Sequence, residues 1–273
     1  MDSATRPLLV IDGDNLAHRA YHSTPKSVEN NAIVGFTRML ANLWEKERPR
    51  GVFVAWDTLG VDTYRNEMWP PYQTGRVFEP EIVRQLNLLP EICRAFAFGV
   101  GKEAGFEADD LMAAAALAEV QQGGKCLLLT TDRDSYQLVS DKVLVLSPRR
   151  GARELDRIGP KEVVAHFGVL PQQVPDFKAL CGDPSDKIPG IKGIGPKSAA
   201  DLLLKYGNLE GVIAAWNDPV KSELPLRFRE VVTMRSEVQV QLPKGDPDWV
   251  AGAAAMKAMG ADSLAERLLT LPG

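Results

Sequence analysis

Short, continuous apolar runs alternate with helix-length segments over the first two-thirds of the sequence, and this alternation is the strongest constraint on the fold. Such runs are typical of parallel strands, because parallel strands are buried on both faces of their sheet. A helix between successive strands provides the crossover that parallel pairing needs, so the sequence predicts an α/β domain with a mostly parallel sheet. The predicted strands are LLVID (8–12), VFVAW (52–56), CLLLT (126–130) and VLVL (143–146), and the predicted helices lie around 30–47, 80–97 and 108–121.

The composition is that of a soluble globular chain of 273 residues, with 45% hydrophobic and 25% charged residues. No apolar run is long enough to cross a membrane, and the N-terminus lacks the pattern of a secretory signal. Cys93, Cys126 and Cys181 form no CxxC pair, which argues against a disulfide framework or a cysteine zinc site and favours a reducing cytosol. The net charge of −4 argues against a protein that coats nucleic acid, although the distribution of charge matters more than its sum.

The chain divides by composition into three predicted parts. Residues 1–156 form the α/β domain, in which a polar, aromatic and proline-rich stretch around 58–98 predicts a functional loop or arch over the sheet. Short helical stretches punctuated by Gly and Pro over 157–210 predict a compact helical module. Residues 211–273 are expected to form a mainly helical segment packed on the first domain, with one candidate strand at 237–242.

Carboxylates at the ends of predicted strands give the main functional signal. Asp12 ends one strand, and Asp57 and Asp132 follow two others, so all three should meet at the edge where open parallel sheets bind ligands. A single acid of this kind is often only a helix N-cap, a partner for a helix dipole or an Asx-turn residue. Many acids cannot crowd together ionised without cations, and Mg²⁺ or Mn²⁺ prefer oxygen ligands. The candidates are Asp12, Asp57, Glu107, Asp109, Asp110, Asp132, Asp134, Asp183 and Asp186.

A glycine-rich hairpin with flanking lysines gives a second signal. The stretch IPGIKGIGPKSAA (188–200) places three glycines before a helix that opens with Pro196. Glycine lets a backbone approach a ligand closely, and helix N-termini offer N–H groups to phosphate. A plain turn between helices would not need the lysines, which supply charge without reading bases. The candidate nucleic-acid contacts are Lys187, Gly190, Lys192, Gly193, Gly195, Lys197 and Ser198.

The order and spacing of these motifs resemble a known family. VIDGDN, AWDTLGVDTYR, YQTGR, GFEADD, TTDRDSYQLVS and CGDPSDKIPGIKGIGPKSA occur in the order seen in bacterial and phage 5′ nucleases. These are 5′–3′ exonucleases and flap endonucleases, and they include the N-terminal domain of DNA polymerase I. The resemblance covers about residues 7–210, and because no polymerase region follows, a free-standing member is expected. It implies a PIN-like nuclease domain with a helix–three-turn–helix (helix-hairpin-helix) module, acting in DNA replication and repair.

The resemblance also implies an activity and a set of cofactors. The expected reaction is hydrolysis of DNA phosphodiesters by a two-metal-ion mechanism at 5′ flaps, 5′ overhangs or nicks. The nine acids would hold two or three Mg²⁺ or Mn²⁺ ions, and backbone carbonyls around 185–194 would bind K⁺. Arg19, Gln73 and Arg76 occupy the positions of catalytic side chains near the reacting phosphate. The protein is expected to be a monomer without protein or membrane partners, acting at the nucleoid in the bacterial cytoplasm.

One of these residues departs from the family pattern. Gln73 stands in YQTGR where the family usually has an arch lysine, and glutamine can donate a hydrogen bond but brings no charge. Arg65, Arg76 or a further metal ion could compensate for the missing charge. The first alternative is therefore a non-catalytic or weakly catalytic protein that binds DNA flap structures.

Two further points stay open from the sequence. A small PIN-type ribonuclease is a second alternative, but those domains are shorter and lack a module like that over 157–210. The arch carries three aromatic side chains that either stack on unpaired bases or pack the loop: Tyr64, Trp69 and Tyr72.

Overall fold

The computed structural model describes residues 6–75, 77–149, 154–216 and 223–272. Six strands in it form one sheet: β1 (Leu8–Asp12), β2 (Gly51–Trp56), β3 (Gly99–Lys102), β4 (Cys126–Leu129), β5 (Val143–Pro148) and β6 (Leu155–Ile158). Their order across the sheet is β3-β2-β1-β4-β5-β6. All neighbours pair in parallel except β6, which runs antiparallel to β5. The predicted α/β fold with a mostly parallel sheet is confirmed.

Helices cover both faces of this sheet because pleating sends alternate residues of each strand to opposite sides. The helices are α1 (Gly13–Ser23), α2 (Asn31–Glu47), α3 (Tyr64–Met68), α4 (Pro80–Ala95), α5 (Ala108–Gln121), α6 (Pro160–Phe167), α7 (Val174–Cys181), α8 (Pro196–Tyr206), α9 (Leu209–Trp216), α10 (Glu223–Val232), α11 (Trp249–Ala258) and α12 (Asp262–Leu268). Leu9 and Ile11 belong to a core with α1, α2, α4, α11 and α12, whereas Leu8 and Val10 belong to a core with α5 and α7–α10.

The sheet has two strands that the sequence pattern did not predict. β3 has the sequence GVGK, and because two of its four residues are glycines it lacks the continuous apolar run that identified the other parallel strands. A Cβ added to Gly101 would lie 2.7 Å from the Phe53 ring, so a side chain there would collide with the neighbouring strand. β6 is short and lies at the antiparallel edge, where burial is partial.

The predicted strand over 237–242 is wrong. That segment has no regular secondary structure, although its alternating apolar residues, Val238, Val240 and Leu242, pack against the core that holds α5 and α7–α10. Pro243 follows directly, and its Cδ comes within 3.0 Å of a Cβ built on Gly99. The segment therefore covers the β2–β3 end of the sheet through side-chain contact, without extending the ladder.

The helices that follow β6 pack on both faces of the sheet. α6, α7 and α8 form a helical module, and α10 packs against α7, so the first part of the predicted 211–273 segment joins this module. α11 and α12 return to the opposite face and pack on α4 and α2. Within the described ranges, no helix is both long and apolar enough to span a membrane.

Candidate metal centre and nucleic-acid surface

The carboxyl end of β1 fixes the first acidic side chain. Asp12 ends the strand and caps α1, accepting a hydrogen bond at Oδ1 from the Asn15 backbone N–H at 3.0 Å. Its Oδ2 accepts from the Thr130 hydroxyl at 2.9 Å, and Thr130 follows the neighbouring strand β4. The parallel register of β1 and β4 therefore places Asp12 beside the loop that carries Asp132.

Asp57 joins three elements at the same edge. It follows β2, and its Oδ1 accepts from the Ala108 backbone N–H at 2.7 Å, at the start of α5. Its own N–H donates to Asp14 Oδ2 at 2.8 Å. Asp14 is an acid of this site that the sequence analysis missed, although its place in VIDGDN, two residues after Asp12, was the available signal.

The first turn of α5 brings two further acids into the site. Glu107 lies directly before the helix and accepts from the Tyr72 hydroxyl at 2.9 Å. Asp109 is fully desolvated at Oδ1, and that oxygen has no hydrogen-bond partner among the described residues. A buried carboxylate oxygen without a donor is costly, so this oxygen is suited to bind a cation. We call Asp12, Asp14, Asp57, Glu107 and Asp109 the first carboxylate group.

Asp110 requires a correction to the predicted ligand set. Its side chain is fully buried and is held by the Arg65 guanidinium in a bidentate pair at 2.6 and 2.7 Å. The Tyr64 hydroxyl and the backbone N–H groups of Glu107 and Arg235 also donate to it, at 3.0, 3.1 and 2.8 Å. With both oxygens saturated by donors, Asp110 has a structural role in place of the predicted metal-binding one.

The acids from the later part of the sequence form a second set. Asp134, Asp183 and Asp186 each place a carboxylate oxygen within 4.8 Å of the others, a spacing that one metal ion could bridge. Asp132 precedes them and caps the 3₁₀ segment Arg133–Leu138, accepting from the Asp134 backbone N–H at 2.9 Å. We call Asp132, Asp134, Asp183 and Asp186 the second carboxylate group.

Lys178 is a cation inside the second carboxylate group that the sequence analysis did not identify. Its ammonium is buried, donates to Asp183 Oδ2 at 2.6 Å and forms an ion pair with Asp134. Burial alone would raise the pKa of Asp183, but the Lys178 charge and hydrogen bonds from Lys178 and Ser185 hold it below its usual value. The second carboxylate group is therefore partly neutralised by the chain itself.

Burial and mutual repulsion dominate the titration of acids in the first carboxylate group, although Arg65 also forms an ion pair with Glu107 at 3.4 Å. Burial, together with repulsion from Asp57 and Asp132, raises the pKa of Asp12 to about 7. Burial also raises the pKa of Glu107 to about 7 despite the nearby Arg65, and it raises the pKa of Asp109 well above its usual value. Asp132, a member of the second carboxylate group, repels Asp12 and Asp109 of the first group as well as Asp186 of its own, so the charges of the two groups interact. A divalent cation would remove this repulsion, and hard oxygen donors are the ligands that it needs.

The arch places its polar residues against both carboxylate groups. Gln73 has a left-handed backbone, with φ at 46°, and its Nε2 donates to Asp186 Oδ1 at 3.1 Å and to the Tyr72 hydroxyl at 2.8 Å. Arg65 is taken by Asp110, so it cannot replace the missing arch lysine. Arg19 donates to the Arg149 carbonyl and contacts none of the cluster acids within the described ranges. Arg76 lies outside the described residues.

The three arch aromatics favour packing over base stacking. Tyr72 is buried and bonded to Glu107, and Tyr64 lies between Arg65 and Arg235, whose guanidinium is 3.6 Å from its ring centre. Trp69 packs edge-on against Phe228 and donates to the Lys187 carbonyl at 3.0 Å. The three aromatic side chains therefore pack mainly against other residues of the protein.

The hairpin after α7 is closed by contact between two glycines. Gly182 and Gly190 both have positive φ, and a Cβ added to Gly190 would lie 2.3 Å from the Gly182 nitrogen. Gly190 is thus a buried packing residue, which corrects its prediction as a nucleic-acid contact. Lys187 is exposed, and its ammonium donates to the Thr74 carbonyl and hydroxyl of the arch, so its nucleic-acid contact stays a prediction.

The rest of the hairpin presents an exposed surface. The other exposed members of the predicted set are Lys192, Gly193, Gly195, Lys197 and Ser198. Gly195 caps α8, and Pro196 begins the helix, so the free N–H groups of its first turn point toward this surface. Lysines beside a helix N-terminus suit an anionic backbone.

Comparison with known proteins agrees with this architecture. Residues 7–168 match the model of the 5′-3′ exonuclease N-terminal resolvase-like domain, and residues 169–246 match the 5′-3′ exonuclease C-terminal SAM fold. The T5 5′-exonuclease with bound divalent zinc ions superimposes with a TM-score of 0.72 at 23% identity, covering 97% of this chain and 98% of that one. The catalytic core of Rad2 with DNA gives 0.60 at 18% identity, covering 98% and 92%.

Two relatives are closer in sequence. A 5′-3′ exonuclease of Aquifex aeolicus is 34% identical over 255 residues, covering 88% of this chain and 86% of its own length. DNA polymerase I of Mycobacterium tuberculosis is 41% identical over 220 residues, covering 78% of this chain. The chain spans about a quarter of the length of such polymerase relatives, 24% in this case.

A resolvase-like α/β domain followed by a SAM-type helical domain, with carboxylates gathered at one edge of the sheet, defines a class of nucleases. The chain belongs to the 5′-3′ exonuclease family within that class. The predicted family and fold class are confirmed, and with them the prediction of a nuclease among the hydrolases.

Proposed function

We propose that this chain is a divalent-metal-dependent 5′ nuclease that hydrolyses DNA at 5′ flaps, 5′ overhangs or nicks. The observation that carries the proposal is the unsatisfied Oδ1 of Asp109, buried among acids whose pKa values are raised by burial and mutual repulsion. Family membership supports the reaction type. Nothing in the relatives favours the alternative of a non-catalytic flap binder.

The two carboxylate groups offer the donors for two ions. Asp12, Asp57, Glu107 and Asp109, with the added Asp14, would hold one Mg²⁺ or Mn²⁺, and the second carboxylate group would hold the other. When bound, such ions supply Lewis acidity and charge neutralisation for in-line displacement at a phosphodiester. Asp110 is not a member of this set, because Arg65 occupies both of its oxygens.

The chain's own residues position these donors and balance their charge. Backbone N–H groups of Asn15 and Ala108 donate to the Oδ1 atoms of Asp12 and Asp57 and so fix these two carboxylates. Lys178 holds Asp134 and Asp183 in place and offsets part of their charge. Gln73 offers a neutral N–H donor to Asp186 where the family usually has a charged one.

The substrate would be held by contacts that ignore base identity. Lys192 and Lys197 lie exposed beside the N-terminus of α8, where a phosphate backbone can meet both charge and free N–H groups. A K⁺ ion bound by backbone carbonyls of the hairpin is part of this proposal. Binding to DNA should therefore weaken as salt rises. We further propose a monomer acting in replication or repair in the bacterial cytoplasm, with residues 1–156 and 157–210 as its nuclease and DNA-binding domains.

A cleavage assay tests the proposal directly. A DNA flap duplex labelled at the 3′ end of the flapped strand is incubated with Mg²⁺, Mn²⁺ or EDTA, and an RNA flap of the same sequence runs in parallel. Asp109→Ala should lower cleavage by at least about 100-fold, the scale of losing one group that stabilises transition-state charge. Asp141→Ala, which removes an exposed acid outside both carboxylate groups, is the matched control.

Metal-dependent cuts near the flap junction that vanish with EDTA and in Asp109→Ala would support the proposal. Tight DNA binding without cleavage in either metal would exclude it and favour the non-catalytic binder. Preference for the RNA flap would instead favour the PIN-type ribonuclease.

A further inference from the structure

A cavity of about 880 Å³ lies between α1 and α2, outside both carboxylate groups. Leu129 at the end of β4 and Pro148 at the end of β5 form part of its wall, so it opens near the carboxyl edge of the sheet. It lies on the face covered by α1 and α2, whereas the helical module packs on the other face.

The rim of the cavity carries cations at helical spacing on two facing helices. Arg19 and His22 lie three apart on α1, and Arg38 and Lys46 lie eight apart on α2, which is just over two turns. Each pair therefore projects from one side of its helix. The hydroxyls of Ser23 and Thr24 extend the same polar rim, so nearly all of it consists of hydrogen-bond donors.

The described residues give this rim little neutralisation, although Glu79 lies close enough to interact with His22. No carboxylate is among the residues that line the cavity, although acids outnumber bases in the chain. Glu45 and Glu47, the acids nearest to Lys46 in sequence, are paired with Arg267 and Arg157 instead. In the described part of the chain, neither Arg38 nor Lys46 has a carboxylate within ion-pair distance. A concave, uncompensated patch of positive charge attracts and concentrates anions.

The rim of the cavity suits an anion, and the floor of the cavity requires that the ligand also have an apolar part. The floor is apolar and includes Leu16, Met39, Leu43 and Leu155. An inorganic anion would leave this floor uncovered, but a ligand with an anionic and a flat apolar part would cover both surfaces. A nucleotide unit has that composition, with a phosphate for the rim and a base for the floor.

We propose that this cavity binds a nucleotide unit, with its phosphate at Arg19, Arg38 and Lys46 and its base on the apolar floor. The unit is either part of a DNA strand bound for cleavage or a free mononucleotide. The strand source rests on the proposed function, because DNA held by the helical module and crossing the carboxylate edge would next reach this face of the sheet. A branched substrate, with an arm on each side of the branch, would occupy both surfaces.

Binding is measured in EDTA, so that cleavage does not interfere, by the anisotropy of a labelled flap DNA over a series of salt concentrations. Arg38→Ala/Lys46→Ala removes two rim charges, and Ser23→Trp fills the cavity mouth without changing charge. Lys257→Ala removes one exposed charge from α11 and serves as the control. The double variant should weaken flap binding about tenfold and reduce the salt slope by about 1, the value for one phosphate that is no longer neutralised. Ser23→Trp should weaken binding comparably at one salt concentration, and Lys257→Ala should change little.

A second arm separates the two sources of the ligand. Deoxyadenosine monophosphate is titrated into the wild-type protein and both cavity variants by calorimetry. Loss of flap affinity in both variants supports the cavity as a strand site, and mononucleotide binding that both variants abolish supports it as a free-nucleotide site. The proposal is overturned if the variants lose neither flap affinity nor mononucleotide binding. It is also overturned if only the double variant weakens flap binding, because the lost charges would then act through general electrostatic attraction and not through the cavity. A wild type that neither binds nor cuts flap DNA would instead refute the proposed function, and the mononucleotide arm would still test the cavity.

Discussion

Gln73 Nε2 donates a hydrogen bond to Asp186 Oδ1 across 3.1 Å, and this contact ties the arch to the second carboxylate group. The same nitrogen lies 2.8 Å from the Tyr72 hydroxyl, which in turn donates to Glu107 of the first carboxylate group. A single amide thus connects the arch to both acid sets. The amide carries no charge, so it holds the arch in place without offsetting the repulsion among the acids.

Gln73→Lys should accelerate cleavage. A lysine ammonium at this position would retain the contact with Asp186 and add a positive charge beside the reacting phosphate. We expect single-turnover cleavage of a flap DNA to rise about tenfold, a part of the range attributed to one well-placed charge-stabilising group. Gln73→Met, which keeps the length but removes the donor, should slow the reaction. Equal rates for all three proteins would show that residue 73 does not act on the phosphate.

Asp109→Asn should raise the stability of the metal-free protein while abolishing its activity. The variant removes a buried charge repelled by Asp132 and Asp12 and places an amide donor among carboxylate acceptors. We expect a gain of about 1 kcal/mol, or about 2–4 °C in Tm for a domain of this size. Thermal unfolding in EDTA measures it, and Mg²⁺ should raise the Tm of the variant less than that of the wild type. A lower Tm in EDTA would contradict the account of an uncompensated acid.

Stability of the metal-free protein should fall as pH rises from about 4 to about 7. The native pKa of Asp12 is raised to about 7 from 3.8, so between these values the folded state binds more protons than the unfolded state. Deprotonation of the Asp12 carboxyl at higher pH therefore lowers the free energy of unfolding, and this decrease ends once the pH exceeds the native pKa of Asp12. Urea unfolding in EDTA at several pH values gives the slope.

Asp12→Asn isolates this contribution, because asparagine caps a helix as well as aspartate does but does not titrate. The pH slope should flatten in the variant. Saturating Mg²⁺ should flatten it in the wild type as well, because the metal favours the deprotonated ligands. An unchanged slope in Asp12→Asn would assign the pH dependence to other groups.

Arg65→Met should destabilise the fold strongly, in contrast to a similar change at the surface. The Arg65–Asp110 pair is almost fully buried, so removing the cation leaves a desolvated carboxylate. We expect the free energy of unfolding to fall by about 3–5 kcal/mol. Arg94→Met breaks an exposed pair with Glu91 and should cost at most about 0.5 kcal/mol. Urea unfolding compares the two variants. Similar decreases in the free energy of unfolding would show that burial does not determine how much the Arg65–Asp110 pair stabilises the fold.

The sequence predicted the acids well because a simple rule places them. The continuous apolar runs were recognisable as strands, and parallel strands bring their carboxyl ends to one edge, so Asp12, Asp57 and Asp132 had to meet. β3 escaped the same rule because Gly99 and Gly101 replace apolar side chains where Phe53 needs the space. The alternation over 237–242 was misleading because the segment packs by side chains and pairs with no strand.

The cations of the site were harder to predict than the acids. Lys178 lies in the middle of a helix, and its partner Asp134 is 44 positions earlier, so no local pattern marks the pair. Arg65 likewise meets Asp110 only after the arch folds against α5. The role of Asp110 depended on that contact, which explains why the motif alone suggested a metal ligand. Long-range pairing of opposite charges has no periodicity and becomes visible only in three dimensions.

Two acids of the site also cap the segments that follow them. Asp12 binds the Asn15 amide, and Asp132 binds the Asp134 amide, each through the Oδ1 of its carboxylate. Fraying of either first turn and displacement of its carboxylate are consequently the same physical event. The exchange rates of the Asn15 and Asp134 amide protons therefore report on metal binding. Their exchange with deuterated solvent should slow when ions hold the carboxylates in place. The state of this centre can be followed on the backbone, without a substrate and without turnover.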